Sequence, residues 1–186
     1  MKIEASTIRL DGDPVLRMKA EEVPLPLAKQ DAKLLNDLLS YVRHTHDEKY
    51  CEAHHLRASV GIAAPQVGIS KKLLAVSIVG EQPQDTVELA LANPIIISNS
   101  VQKAYLADGE SCLSVVPDVK GIVPRYARIT VRAYDLTAGR IVDIRLTDYP
   151  AIVMQHEIDH LYGLLYYDRI DKKNPDAPIP GAIVLG

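Results

Sequence analysis

The stretch from Asp148 to Leu165 constrains this chain more than any other. Asp148, Tyr149 and Pro150 read as a helix start, because an Asp side chain caps free N–H groups and Pro is tolerated in the first turn. Ala151, Ile152, Val153, Met154, Ile158, Leu161, Leu164 and Leu165 then surround the helix on nearly every face, so it belongs in the core with strands packed about it. Yet the same helix carries His156, Glu157, Asp159 and His160. Buried imidazoles and carboxylates are costly unless they coordinate or pair, so these four need partners.

His156-Glu157-Ile158-Asp159-His160 is the pattern H-E-x-x-H. A separation of four puts both imidazoles on one helix face, where they can grip a single divalent metal with Glu157 beside them as general base. A catalytic metal also needs a third protein ligand and an open position for water. No Glu follows Glu157 and no His follows His160, and Tyr166 stands where the longer pattern H-E-x-x-H-x-x-G-x-x-H would need its third His. Upstream, Cys112 lies in Gly109-Glu110-Ser111-Cys112-Leu113-Ser114, after a short strand from which it can reach the helix. Taken alone, a buried Cys is more often an inert small hydrophobe. A further motif, Ser59-Val60-Gly61-Ile62-Ala63-Ala64-Pro65-Gln66-Val67-Gly68, has small residues that permit close backbone approach, and Gln66 supplies an amide donor.

The rest of the chain predicts an α+β fold. Leu34, Leu35, Leu38, Leu39 and Val42 form an amphipathic stripe, giving a helix from about Lys29 to His44. His46 to Arg57 shows neither strand alternation nor a clean helical face and reads as an irregular, solvated insertion. Its His46, Cys51, His54 and His55, with His44 just before it, lack the paired spacings of a closed four-ligand metal site. Strands are expected at Leu73 to Val79, Leu89 to Ile97, Lys103 to Leu106, Ile122 to Leu136 and Arg140 to Thr147, with Ala138-Gly139 turning a hairpin between the last two. Pro175, Pro178 and Pro180 make the C-terminal tail an extended arm.

With 186 residues, 47% hydrophobic, and no linker or repeat, one domain over residues 1–186 is expected. A net charge of −3 without a basic block, and no Trp or Phe for base stacking, argue against nucleic acid as a partner. Two cysteines and no apolar leader before Pro24 point to a reducing cytoplasm, and no apolar run is long enough to span a membrane.

Taken together and in this order, the three motifs resemble those of the peptide deformylases, whose patterns are G-x-G-Φ-A-A-x-Q, E-G-C-L-S and H-E-x-D-H. The resemblance covers most of the chain. Arg9 to Arg17, the insertion before Ser59, Gly121 to Thr130, Tyr149 to Gln155 and Tyr166 to Asp171 look like the Gram-positive (type II) subclass. It implies mostly antiparallel sheets around a central helix bearing H-E-x-x-H, in a bacterial, cytoplasmic enzyme. Its substrates would be N-formylmethionyl peptides and nascent chains, met in transient proximity to the ribosome.

Carried over residue by residue, the resemblance makes Cys112, His156 and His160 ligands of one divalent metal, Fe(II) in the cell with nickel, cobalt or zinc as substitutes. Water would take the open position, Glu157 would move its proton, and formate would leave. The Gln66 amide and the Leu113 N–H would meet charge developing on the formyl oxygen. Tyr149, Ile152 and Val153 lie seven, four and three residues before His156, share its helix face and can line a methionine-sized slot. Val60, Gly61 and Ile62, with Asp108 and Glu110, are the positions implied for pairing with an extended peptide. Glu110 also calls for a buried partner, for which Arg125 is the candidate, whereas the spacing of Asp159 leaves its role open.

Two departures from the family pattern stand out. Ser59 replaces the first Gly of one motif and Ser111 the Gly of the next. Where a backbone needs φ > 0 a Ser is strained by roughly 1–3 kcal/mol, and elsewhere it takes only space near substrate. Two other classes share parts of the pattern. A different H-E-x-x-H metallopeptidase would keep its metal without Cys112, and a catalytically silent relative would bind formyl-peptides or a partner through the same groove.

Overall fold

The computed structural model describes residues 2–186. Helix α1 (Lys29–His44) forms where the leucine stripe predicts it and buries Leu34, Leu35, Leu38, Leu39 and Val42. A second helix, α2 (Glu48–His54), lies in the segment expected to be irregular. It buries no residue, so no apolar stripe announces it. Local chemistry holds it instead: the Asp47 side chain accepts from the Tyr50 N–H, His55 ends it in a left-handed conformation, and Tyr50 stacks against His44 and His54.

The strands follow as β1 (Gly61–Ala63), β2 (Leu73–Ile78), β3 (Val87–Asn99), β4 (Lys103–Leu106), β5 (Arg125–Tyr126), β6 (Arg128–Asp135) and β7 (Arg140–Thr147). Helix α3 (Asp148–Leu161) and strand β8 (Ile183–Leu185) complete the order. Five strands make an antiparallel sheet in the order β1-β2-β3-β6-β7, and β5-β4-β8 make a smaller one in which β4 and β8 run parallel. The single run expected over Ile122 to Leu136 is divided. Pro124 has no N–H for a ladder, and Ala127 leaves both sheets, donating to Gln102 and accepting from the Asp148 N–H. The chain thereby crosses from the small sheet to the large one. The β6–β7 hairpin closes through Gly139 at φ 65°, and the expected extended arm ends by adding β8 to β4.

Helix α1 covers one face of the large sheet, through Leu73, Ala75, Ala90 and Ala92. Helix α3 covers the other, packing Ala151, Met154, Ile158 and Leu161 against Leu74, Val76, Leu91, Ile129 and Val131. Alternate residues of β2 therefore serve opposite layers and all six are buried, as befits a strand covered on both faces. The small sheet closes the remaining side of α3, where Ala104, Leu106, Ile183 and Leu185 meet Ile152. Every residue from Ala151 to Leu161 is buried. The helix start differs in one detail: Thr147 takes the cap position without a side-chain cap bond, and Asp148 sits inside at φ 53°. Gly163, at φ 74°, turns the chain away, so Leu164 and Leu165 lie beyond the helix.

Candidate metal centre

Helix α3 delivers His156 and His160 from one face, their ring centroids 5.0 Å apart. The loop after β4 brings Cys112 to them, its Sγ 3.3 Å from His160 Nε2, and one ligand atom from each of the three lies within 4.8 Å of the others. Among the described residues this is the group suited to hold a metal ion. Two polar atoms at the site are buried without a hydrogen-bond partner, Glu157 Oε2 and His160 Nδ1. Such orphans are rare in folded proteins.

The electrostatics fit a cation. Burial, reinforced by His156, holds the His160 imidazole well below its ordinary range, so it is neutral and has a lone pair to give. Burial works against a charged His156 too, but hydrogen bonds to Cys112 and Glu110 outweigh it and raise its pKa. That pocket favours positive charge, which a divalent metal supplies. Burial raises the Glu157 carboxyl to about 7, placing a proton acceptor near neutrality beside the ligands.

An outer layer of charge orients the histidine. Arg125 clamps Glu110 through two hydrogen bonds of 2.8 Å, and the Glu110 Oε2 accepts from His156 Nδ1 at 2.8 Å, leaving Nε2 free to coordinate. The expected Glu110–Arg125 pair is therefore present. Burial alone would raise the Glu110 pKa, but the hydrogen bonds from Arg125 and His156 prevail and hold it at about 2. Asp159 also has a definite place, binding Arg125 on one side and Arg169 on the other. Arg169 went unread in the sequence because nothing in its spacing ties it to a site 10 residues away.

A cavity of about 340 Å³ opens over these groups. Of the expected site residues, Val60, Gly61, Gln66, Glu110, Cys112, Leu113, Tyr149, Ile152, Val153, His156 and Glu157 line it, and His160 lies outside the lining. Ile62 does not line it. Strand alternation turns its side chain to the opposite face, where it is fully buried beneath α1. The Glu110 carboxylate is taken by Arg125 and His156, so what it can offer an extended peptide is its main chain. Asp108 is absent from the lining.

Thr45, His46, Arg57 and Leu106 line the cavity without having been foreseen. Arg57 donates to the carbonyls of Cys112 and Val115 at 3.0 and 3.3 Å, bracing the thiol loop. Its position just before the first motif was the one available signal.

Gly61 is required for space, not for its backbone angles. A Cβ there would fall 2.4 Å from Glu157 Oε1, so the absent side chain is what lets the carboxylate lie against β1. The Gln66 amide is fixed from behind: Oε1 accepts the Ala63 N–H at 2.9 Å, which turns Nε2 toward Cys112 Sγ and Ser114 Oγ. Neither Ser59 nor Ser111 has a positive φ, so both serines are free of that strain.

With this geometry established, known proteins offer a comparison. A family model described as polypeptide deformylase matches residues 5–176. The peptide deformylase of Macrococcus caseolyticus is 52% identical over 165 residues, covering 89% of each chain. That of Pediococcus pentosaceus is 47% identical over 186 residues, covering 99% of this chain and 100% of its own. Among solved structures, peptide deformylase from Thermus thermophilus aligns with a TM-score of 0.69 at 34% identity, over 91% of this chain and 87% of that one.

Proposed function

This chain belongs to the polypeptide deformylase family, metal-dependent hydrolases that remove the formyl group from the N-terminus of newly made proteins, and from that premise we propose a role for each residue around the cavity. Cys112, His156 and His160 would hold one divalent metal, with Fe(II) as the cellular ion and nickel, cobalt or zinc as substitutes. When bound, the metal supplies Lewis acidity toward the formyl oxygen and makes water a stronger nucleophile at neutral pH. A thiolate with two imidazoles suits any of these ions, and the His160 Nε2 beside the Cys112 sulfur supports such a centre.

Glu157 takes the proton of the attacking water and returns it to the departing amine nitrogen, the two halves of general acid–base catalysis. Its elevated pKa of about 7 suits both, since an acceptor poised near the working pH gives the proton back readily. Gln66 Nε2 and the Leu113 N–H act on the formyl oxygen as charge builds there, and the anchoring of the Gln66 amide by Ala63 means little reorganisation is needed. Each such donor contributes on the order of 3 kcal/mol to lowering the barrier.

Tyr149, Ile152 and Val153 form the wall that receives the methionine side chain, with Leu106 continuing it from β4. Strand β1 stands at the edge of its sheet beside the cavity, and an extended peptide adds to that edge. The Macrococcus and Pediococcus relatives are bacterial, and no helix among the described residues is long and apolar enough to cross a membrane. The reading places the enzyme in the bacterial cytoplasm, transiently near the ribosome that supplies its formylated nascent substrates.

The observation that carries the assignment is the Cys112–His156–His160 cluster, with Cys112, His156 and Glu157 lining one cavity. Its test is formate release from formyl-Met-Ala-Ser by iron-loaded protein prepared without oxygen, alongside Glu157→Gln. Release that falls by at least about 100-fold in the variant is expected. Equal release from both would overturn the assignment of Glu157.

A further inference from the structure

Edge strand β1 offers a peptide very little main chain. The Ser77 N–H donates to the Val60 carbonyl at 2.9 Å, so Val60 faces β2. Antiparallel pairing alternates, and Gly61, opposite Val76, must turn its N–H and C=O away from β2 toward the open edge. Ile62 turns back to β2, and the outward N–H of Ala63 is already taken by Gln66 Oε1. The outward N–H and C=O of Gly61, which lines the cavity, are what an incoming strand can use.

Both are occupied by one side chain. The Ser59 hydroxyl donates to the Gly61 carbonyl at 2.6 Å and accepts from the Gly61 N–H at 3.4 Å. Ser59 is itself held in position: its N–H donates to Thr45 Oγ1 at 3.2 Å, and its carbonyl accepts from that hydroxyl at 2.8 Å. Thr45 is buried just past the end of α1, so this anchor belongs to the packed fold. The hydroxyl thus does to Gly61 what a peptide strand would do.

We propose that Ser59 is a specificity-determining residue whose hydroxyl occupies the substrate-pairing groups of Gly61 and must be displaced by an extended peptide. This rests on the deformylase reading and deepens it. Peptide main chain beyond the first residue then gains less than the open edge would give, because one hydrogen bond is exchanged for another rather than made anew. The enzyme selects chiefly through the methionine slot and weakly through the chain that follows. The inference concerns the peptide main chain and not the formyl group: formyl-peptides gain less from that main chain than they would on an unoccupied Gly61.

The test compares kcat/KM for formyl-Met-Ala-Ser with kcat/KM for formyl-methionine in the metal-loaded wild type, Ser59→Ala and Ser59→Gly. The ratio of the two constants cancels losses of folded or metal-bound protein, which a merely structural role would cause. Removing the hydroxyl should raise the ratio about three- to tenfold in both variants, mainly through KM of the tripeptide. An unchanged or lower ratio in Ser59→Ala overturns the proposal, the lower value meaning that the hydroxyl assists the peptide. A rise in Ser59→Gly alone also overturns it, by assigning the effect to bulk or backbone freedom. If the metal-loaded wild type releases formate from neither substrate, the deformylase reading itself fails, and this inference with it.

Discussion

Gly61→Ala is the smallest change that should disable the chemistry without touching a ligand. A Cβ at Gly61 would lie 2.4 Å from Glu157 Oε1 and 2.8 Å from both Cγ and Cδ, whereas ordinary contact begins at 3.4 Å. The carboxylate must therefore retreat by about 1 Å, off β1 and into the cavity it lines, away from its working position. A misplacement of about 1 Å at a reacting group can cost on the order of 100-fold, or about 2.7 kcal/mol of barrier. Overpacking adds a stability loss of about 1–3 kcal/mol. The assay is formate release under steady-state conditions, with metal content measured on the same preparation. The expected result is kcat/KM down about 100-fold with close to one metal retained per chain. The double variant Gly61→Ala with Glu157→Gln should be no slower than Glu157→Gln alone, because both act on one group. Activity within threefold of wild type, or additive losses in the double variant, would refute the steric argument.

Three further outcomes follow from the same geometry. Substituting Glu110 or Arg125 singly should destabilise the fold by about 3–5 kcal/mol, since each leaves a buried charge unpaired, while the double substitution costs much less than the sum; a urea-unfolding cycle reads the coupling. The Glu110 carboxyl is depressed from 4.5 to about 2, so its contribution, on the order of 3 kcal/mol, is whole above about pH 4.5 and is lost as the pH falls towards 2. Urea midpoints measured across that window should fall in the wild type and change less in Glu110→Gln. Air should inactivate the iron-loaded enzyme through oxidation of the metal and the Cys112 thiolate while the nickel form persists, a difference that timed formate assays would reveal; equal survival would count against iron.

What could be read in advance follows from how strongly each element is specified by its own residues. The limits of α1 were legible because five apolar residues sit at helical spacing, and α3 because it is apolar all round yet carries two histidines. Helix α2 was not, because caps and stacked rings hold it and it buries nothing. The division between β5 and β6 depends on pairing with two different sheets, a non-local fact of which Pro124 was the only local trace. At the site, ligand spacing exposed His156 and His160, and the resemblance supplied Cys112, but residues that act through others stayed hidden. Arg169 reaches the centre through Asp159, Arg57 braces the thiol loop through two of its carbonyls and the Asp118 carboxylate, and Ser59 gives its hydroxyl to a backbone two residues away. Which way the Ile62 side chain faces was hidden too, because it depends on how a three-residue strand alternates.

The most direct test of the central claim is a metal titration of protein stripped of metal, following formate release from formyl-Met-Ala-Ser without oxygen. Activity should rise linearly with added iron or nickel and break at one equivalent per chain, and Cys112→Ala should bind less metal and show no comparable rise. Formate release that is indifferent to metal, or Cys112→Ala that keeps one metal and full activity, would contradict the account.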